Sequence, residues 1–256
     1  MKDFAGRTGA AVVTGGSGGL GAAICRMLAE RGSHVALTYN RNADAAAAVV
    51  RDIESHGQKG RAWQLSLEDD AATAAFLDDV VAEFGAIHTL VYASGPHVPM
   101  VHLSKVRTAD FRRQIEQDVI AFFNLVQPAL AHLRAVQGNV VAVTTVATRR
   151  YPVRDGLSAA PKGAVEAVVR GLAAEEGRFG VRFNCVGPGM LVDGMAERLI
   201  SSGDLDERAL DVARNNIPMR RFGNATDIAE AVCFLASDRA SYITGLMLDV
   251  DGGYHL

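Results

Sequence analysis

The sequence predicts an α/β fold of the Rossmann type, a doubly wound parallel sheet in three αβα layers within a single domain, and three observations carry that expectation. The apolar run Ala10-Ala11-Val12-Val13 leads into Thr14-Gly15-Gly16-Ser17-Gly18-Gly19-Leu20-Gly21 and then into the helix-like segment Ala22 to Ala29. Apolar runs of strand length go on alternating with helical periodicity to the end of the chain, the pattern of repeated βαβ units. No Pro/Ser-rich linker divides the 256 residues, which are enough to bury one sizeable core.

Taken in order, the first strand and its glycine turn come first. Glycines accept positive φ and carry no Cβ, so main-chain N–H groups and a helix N-terminus can close on a pyrophosphate. Gly16, Gly18 and Gly21 satisfy G-x-G-x-x-G, and Thr14, Gly15, Gly19 and Gly21 satisfy T-G-x-x-x-G-x-G. A second strand is expected over Ser33 to Tyr39, nearly all apolar as in a sheet covered on both faces. Arg41 follows it at a place where an acidic residue would bond a ribose 2′-hydroxyl. An arginine there can pair a 2′-phosphate, which favours NADP(H) over NAD(H), the alternative being a solvated loop arginine.

Helices are expected over about 43–56 and 71–84, with strands over about 61–65 and 88–93. A long helix over about 108–135 contains Pro128, which should bend or interrupt it. Residues 138–146 form the most strand-like run, 157–178 a helix with Pro161 near its first turn, and 181–186 a strand ended by Gly187-Pro188-Gly189. The polar, helical and strandless stretch 190–217 suits a lid over a cleft. A helix over 227–237 and a strand over 246–250 close the chain.

Composition excludes several function classes. Apolar content of 49% and charged content of 21% are ordinary for a soluble globular protein, and a net charge of −3 offers no attraction to nucleic acid or an anionic membrane. Three widely separated cysteines suggest neither a disulfide framework nor a metal site. No signal-like N-terminus and no run of eighteen apolar residues occurs, so a cytoplasmic protein is expected.

The chain resembles the short-chain dehydrogenase/reductase family over nearly its whole length, and most of all its 3-oxoacyl carrier-protein reductase type. The segments Asn184-Cys185-Val186-Gly187-Pro188-Gly189, Ile217 to Gly223, Phe234 to Asp238, Tyr242-Ile243-Thr244-Gly245 and Val250-Asp251-Gly252-Gly253 carry the resemblance. It implies a seven-stranded parallel sheet, a bound NAD(P)(H) and a homotetramer or homodimer. It also implies that Thr14, Gly15, Ser17, Gly19, Leu20, Gly21, Arg41, Ser66, Ala93, Gly95, Lys162, Pro188 and Gly189 surround the coenzyme.

The family's Asn–Ser–Tyr–Lys tetrad is only partly matched. Ser158-Ala159-Ala160-Pro161-Lys162 stands where Tyr-x-x-x-Lys is expected, Thr145 where the serine is expected, and Asp118 where the asparagine is expected. Asp193 occupies the place of the usual threonine after Pro-Gly. In the family the phenol moves a proton while nicotinamide C4 exchanges hydride. The Ser158 hydroxyl is aliphatic and cannot become an anion as a phenol can. Losing general acid–base help costs roughly 10²- to 10⁴-fold in rate, about 3 to 5.5 kcal/mol.

Several residues are candidates for what remains. Lys162 either bonds the nicotinamide ribose or donates a proton itself, and Thr145 either polarises a carbonyl or is a β-branched strand residue. Tyr151, Tyr92, His97 and His102 lie at or beyond strand ends where ligands of open α/β sheets bind, and each is a candidate acid or a packing residue. Asp118 is either half of a proton-holding pair with Lys162 or a solvated helix aspartate. Arg149, Arg150 and Arg154 either meet an anionic substrate or carrier protein, or are a solvated loop. The leading expectation is an NADP(H)-dependent oxidoreductase of atypical short-chain type, reducing a carbonyl, imine or activated alkene on a small or acyl-carrier-bound substrate. Its rivals are a non-redox cyclase, dehydratase or isomerase, and a catalytically silent cofactor-binding subunit.

Overall fold

The computed structural model describes residues 2–96, 98–192 and 207–256. Seven strands form one parallel sheet in the order β3-β2-β1-β4-β5-β6-β7. They are β1 (Ala10–Thr14), β2 (His34–Tyr39), β3 (Gly60–Gln64), β4 (Ile87–Tyr92), β5 (Asn139–Val143), β6 (Arg182–Pro188) and β7 (Met247–Val250). The chain runs outward from β1 to β3, then returns to the other side of β1 at β4. That reversal makes the carboxyl ends of β1 and β4 the topological switch point, where open α/β sheets bind ligands.

Helices cover both faces. On one side α1 (Gly19–Glu30), α2 (Ala43–Ser55) and α8 (Ala225–Ala236) pack on Ala11, Val13, Val35 and Leu37. On the other, α3 (Asp70–Phe84), α5 (Ala121–Val136) and α6 (Gly156–Glu176) pack on Val12, Ala36, Leu90 and Val140. Alternate residues of one strand thus enter opposite cores, which is why the strands read as continuous apolar runs. Helix α4 (Thr108–Ile115) leads into α5, and α7 (Glu207–Asn215) follows residues 193–206, the half of the expected 190–217 lid that lies outside the described residues.

The Rossmann sheet is as the sequence predicts, with three local corrections. The irregularity in the long helix falls at a π-helical turn, Glu116–Ile120, and Pro128 sits within continuous α5. The buried Tyr92 hydroxyl donates to the main-chain oxygen of Asp118 (3.0 Å), and this insertion into the hydrogen-bond ladder accounts for the wider turn. Strand β6 continues through Gly187 and Pro188, which pair with Asp249 and Val250, and Gly189 N–H donates to Val250 O at 3.0 Å. Pro161 is the sixth residue of α6 and lies beyond its first turn. Residues 108–136 are apolar and long enough to cross a membrane by length and composition, but Phe122, Leu125, Val126 and Leu133 of this helix are buried in the core beneath the sheet.

Candidate active site

The glycine turn closes tightly between β1 and α1. Gly15 adopts φ +66°, and a Cβ on it would lie 3.0 Å from the Ala93 carbonyl oxygen and 3.1 Å from the Ser94 hydroxyl. A Cβ on Gly21 would fall 2.2 Å from Gly15 O, so only glycine lets α1 begin this close to the turn. Thr14 is fully buried and serves the frame: its hydroxyl accepts the Ala93 N–H at 3.2 Å. Helix α1 starts without a side-chain cap and without an acidic residue in its first turn. Its N-terminal N–H groups therefore keep their capacity for an anion, with Ser17 and Leu20 half-buried beside them and open space above Gly19. These features fit a dinucleotide pyrophosphate.

Beyond the turn, Arg41 is exposed just past the end of β2, and no ion pair or hydrogen bond engages its guanidinium within the described residues. Ser66 is exposed in the loop after β3, on the same edge of the sheet. Pro188 ends β6, and a Cβ on the following Gly189 would lie 2.7 Å from Asp251 Cα. The sheet order thus brings Thr14, Ala93, Gly95 and Pro188 to one edge.

Lys162 reaches that edge from α6. Its Nζ is 2.8 Å from Asp118 Oδ1, 3.5 Å from Ser94 O and 3.6 Å from where a Gly95 Cβ would be. Asp118 is 2% exposed, so it is not a solvated helix aspartate. Its carboxylate also accepts the Tyr92 hydroxyl at 3.2 Å, and the Lys162 ammonium lies 5.2 Å above the Tyr92 ring. Burial, and then the Asp118 carboxylate, push the Tyr92 phenol well above its ordinary pKa. Tyr92 is therefore a sealed donor to Asp118 and is removed from the candidate acids.

The other candidates separate. Ser158 is half-buried, with no partner for its hydroxyl among the described residues. Thr145 stands past the end of β5, where its hydroxyl accepts the Ala147 N–H at 3.2 Å and keeps its own proton for another acceptor. Tyr151 is half-exposed on the following loop. His97 and Asp193 lie outside the described residues, and His102 is exposed. The arginines are not a free anion cluster: Arg149 lies 3.8 Å from both Glu166 and Asp249, Arg150 donates to Tyr254 O and Arg154 to Met100 O.

One buried acid is not marked by sequence pattern. Asp155 is 8% exposed and precedes α6, where an aspartate ordinarily reads as a helix cap, yet its side chain makes no capping bond. Burial alone pushes its carboxyl up to about 6. The signal available in the sequence is its spacing, three residues before Ser158 and seven before Lys162.

Residues 15–255 match the family described as Enoyl-(Acyl carrier protein) reductase. A 3-oxoacyl-[acyl-carrier-protein] reductase of Staphylococcus aureus is 33% identical over 97% of this chain and 99% of its own. The structure of a short-chain dehydrogenase/reductase from Serratia marcescens superposes with a TM-score of 0.89, at 30% identity, covering 99% of this chain and all of that one. The chain belongs to the short-chain dehydrogenase/reductase family. Within this family it also resembles a cis-4-hydroxycyclohexanecarboxylate dehydrogenase of Sinomonas cyclohexanicum, 34% identical over 95% of both chains. These relatives are oxidoreductases, and a nicotinamide coenzyme is bound in the matching structure of an NAD+-bound xylitol dehydrogenase (TM-score 0.89, 25% identity, 96% of this chain and 98% of that one).

Proposed function

We propose that this short-chain dehydrogenase/reductase is an NADP(H)-dependent oxidoreductase that reduces a carbonyl, imine or activated alkene on a small or acyl-carrier-bound substrate, and that it works without a phenol at position 158. The observation that carries this reading is the Lys162–Asp118 pair at 2.8 Å, set beside Ser94 and Gly95 at the edge where the glycine turn also lies. The pair holds the ammonium in one place, so Lys162 serves better as a fixed donor to ribose hydroxyls than as a proton source. The turn from Gly15 to Gly21 would hold the pyrophosphate, and Arg41 a 2′-phosphate. A bound nicotinamide supplies hydride chemistry there. The protein's share is to orient the substrate, with the hydroxyls of Ser158 and Thr145 as hydrogen-bond groups, and to supply a proton. The same reading makes the protein a cytoplasmic homotetramer or homodimer; Ile120 and Phe123, exposed on the long helix, are apolar surface suited to such contacts.

Coenzyme binding and turnover test this directly. NADPH should bind more tightly than NADH, and Arg41→Ala should weaken NADPH at least tenfold, about 1.4 kcal/mol, with little change for NADH. NADPH oxidation should appear with at least one member of a panel of ketones, imines and conjugated alkenes; tight NADPH binding with no turnover on any class overturns the reductase reading. The sealing of Tyr92 leaves room for one rival, non-redox chemistry on the same scaffold. Product mass separates the two, since reduction adds two hydrogens whereas cyclisation or isomerisation adds none.

A further inference from the structure

Asp118 carries a charge that its hydrogen bonds do not need. Lys162 Nζ donates to Asp118 Oδ1 at 2.8 Å, and the Tyr92 hydroxyl donates to the same oxygen at 3.2 Å. An amide oxygen in that place would accept both. What the carboxylate adds is a negative charge, on a residue 2% exposed, where burying one is costly. The π-helical turn Glu116–Ile120, held open by the Tyr92 hydroxyl at the main-chain oxygen of Asp118, fixes that charge against the ammonium.

Ser94 ties the pair to the glycine turn. Its carbonyl oxygen is 3.5 Å from Lys162 Nζ, and its Cα and hydroxyl would each lie 3.1 Å from a Cβ on Gly15. In a doubly wound sheet the pyrophosphate sits at the N-terminus of the first helix, and the adenosine ribose meets the end of the second strand. Here that half of the crevice belongs to β1 and β2, with Arg41 just past the end of β2. The nicotinamide half therefore lies over β4 and β5, on the other side of β1. Asp118 and Lys162 stand on that half, joined to Tyr92, the last residue of β4, and to Ser94 beyond it.

The charges nearby do not duplicate this one. Among the described residues Asp118 pairs with no other basic group and Lys162 with no other acid. Glu166, one turn further along α6, is taken by the Thr148 hydroxyl at 2.8 Å and by Arg149 at 3.8 Å. The ammonium at the nicotinamide half is thus matched by one carboxylate, and that carboxylate is Asp118.

We propose that Asp118 sets the redox preference of the coenzyme site: by cancelling the Lys162 charge it lets the site hold the oxidised nicotinamide, a ring cation that an isolated ammonium would repel. The reduced ring is neutral and feels little of either charge. The inference rests on the coenzyme part of the reading above. A unit charge within about 15 Å in a partly buried site, at an effective dielectric constant near 20, changes the binding of a cation by a factor of about five or more. By linkage, a change in the relative affinity for the two redox forms moves the potential of the bound couple in proportion, about 30 mV per tenfold for two electrons. Asp118 thereby stabilises the coenzyme form that remains after a reduction and that starts an oxidation.

The test is the ratio Kd(NADP+)/Kd(NADPH), measured by titration calorimetry without substrate. Wild type is compared with Asp118→Asn, Lys162→Met and the two substitutions together, which leave the pair neutral, positive, negative and neutral again. Asp118→Asn should raise the ratio about fivefold or more, almost wholly through weaker NADP+. Lys162→Met should lower it. The double variant should return it to within about twofold of wild type, even as both forms lose the lysine contact and bind more weakly. If Lys162→Met does not fold, Asp118→Asn and the double variant decide the matter. A role confined to structure weakens both forms together, so an unchanged ratio in Asp118→Asn overturns the proposal, as does a raised ratio that persists in the double variant. Wild type that binds neither form overturns the coenzyme reading itself, and is told from failure of Asp118 alone because no ratio is left to compare.

Discussion

Asp118 bears on two neighbours at once, and its removal should expose both. A buried ammonium left without its carboxylate is costly, so Asp118→Ala should destabilise the fold by about 3–5 kcal/mol in urea denaturation. Tyr92 would keep the main-chain oxygen of residue 118 as an acceptor. Asp118→Asn retains a side-chain oxygen for Lys162 and Tyr92 and should lose much less. Similar losses for the two variants would show that the Lys162 contact contributes little. The sequence places Asp118 and Lys162 at their motif positions but does not say that they touch, because 44 residues separate them and the α5 and α6 crossovers decide the distance.

At the scale of the element, the glycine turn separates structural from ligand-facing positions. A methyl on Gly21 collides with Gly15 O at 2.2 Å, so Gly21→Ala must displace the start of α1 and should reduce both stability and NADPH affinity. A methyl on Gly19 meets no atom within 4 Å, so Gly19→Ala should leave the unfolding midpoint nearly unchanged while weakening NADPH, if the open space above it is where the pyrophosphate docks. Equal NADPH affinity in Gly19→Ala and wild type would place the phosphate elsewhere. The long helix shows where reading by residue type stops. Proline marks an interruption by its missing N–H, yet α5 continues through Pro128, and the true irregularity comes from a tyrosine on another element.

Across the whole molecule, two buried groups give stability opposite dependences on pH. His88 is 4% exposed at the amino edge of the sheet, between Ser33 and Thr89, and burial, then the Arg7 charge, hold its imidazole down to about 3. Its folded pKa is below the ordinary 6.5, so the stability it supports is present above pH 6.5 and is lost as pH falls towards 3, about 5 kcal/mol over that span. Asp155 is the reverse case: its folded pKa of about 6 exceeds 3.8, so its contribution is complete below pH 3.8 and lost as pH rises through 6. Denaturant midpoints from pH 3.5 to 8 should therefore show a shallower acid limb in His88→Asn. They should also show Asp155→Asn more stable than wild type above pH 6 and matched to it near pH 4. A wild-type and Asp155→Asn pair with the same difference at every pH would mean that the carboxyl does not titrate on burial.

Local periodicity and turn chemistry determined the alternation of strands and helices, the glycine turn between β1 and α1, and the edge at which a coenzyme should dock. These features depend on neighbours within a few residues, since burial on a strand face or helix stripe follows a fixed repeat. Tertiary structure alone decided that Tyr92 is sealed against Asp118, that Asp118 holds Lys162, that the arginines after β5 are already engaged, and that Asp155 is largely buried and does not cap α6. Whether a polar group finds water, an ion partner or neither depends on which distant segments the sheet order brings beside it, and no repeat in the sequence carries that information.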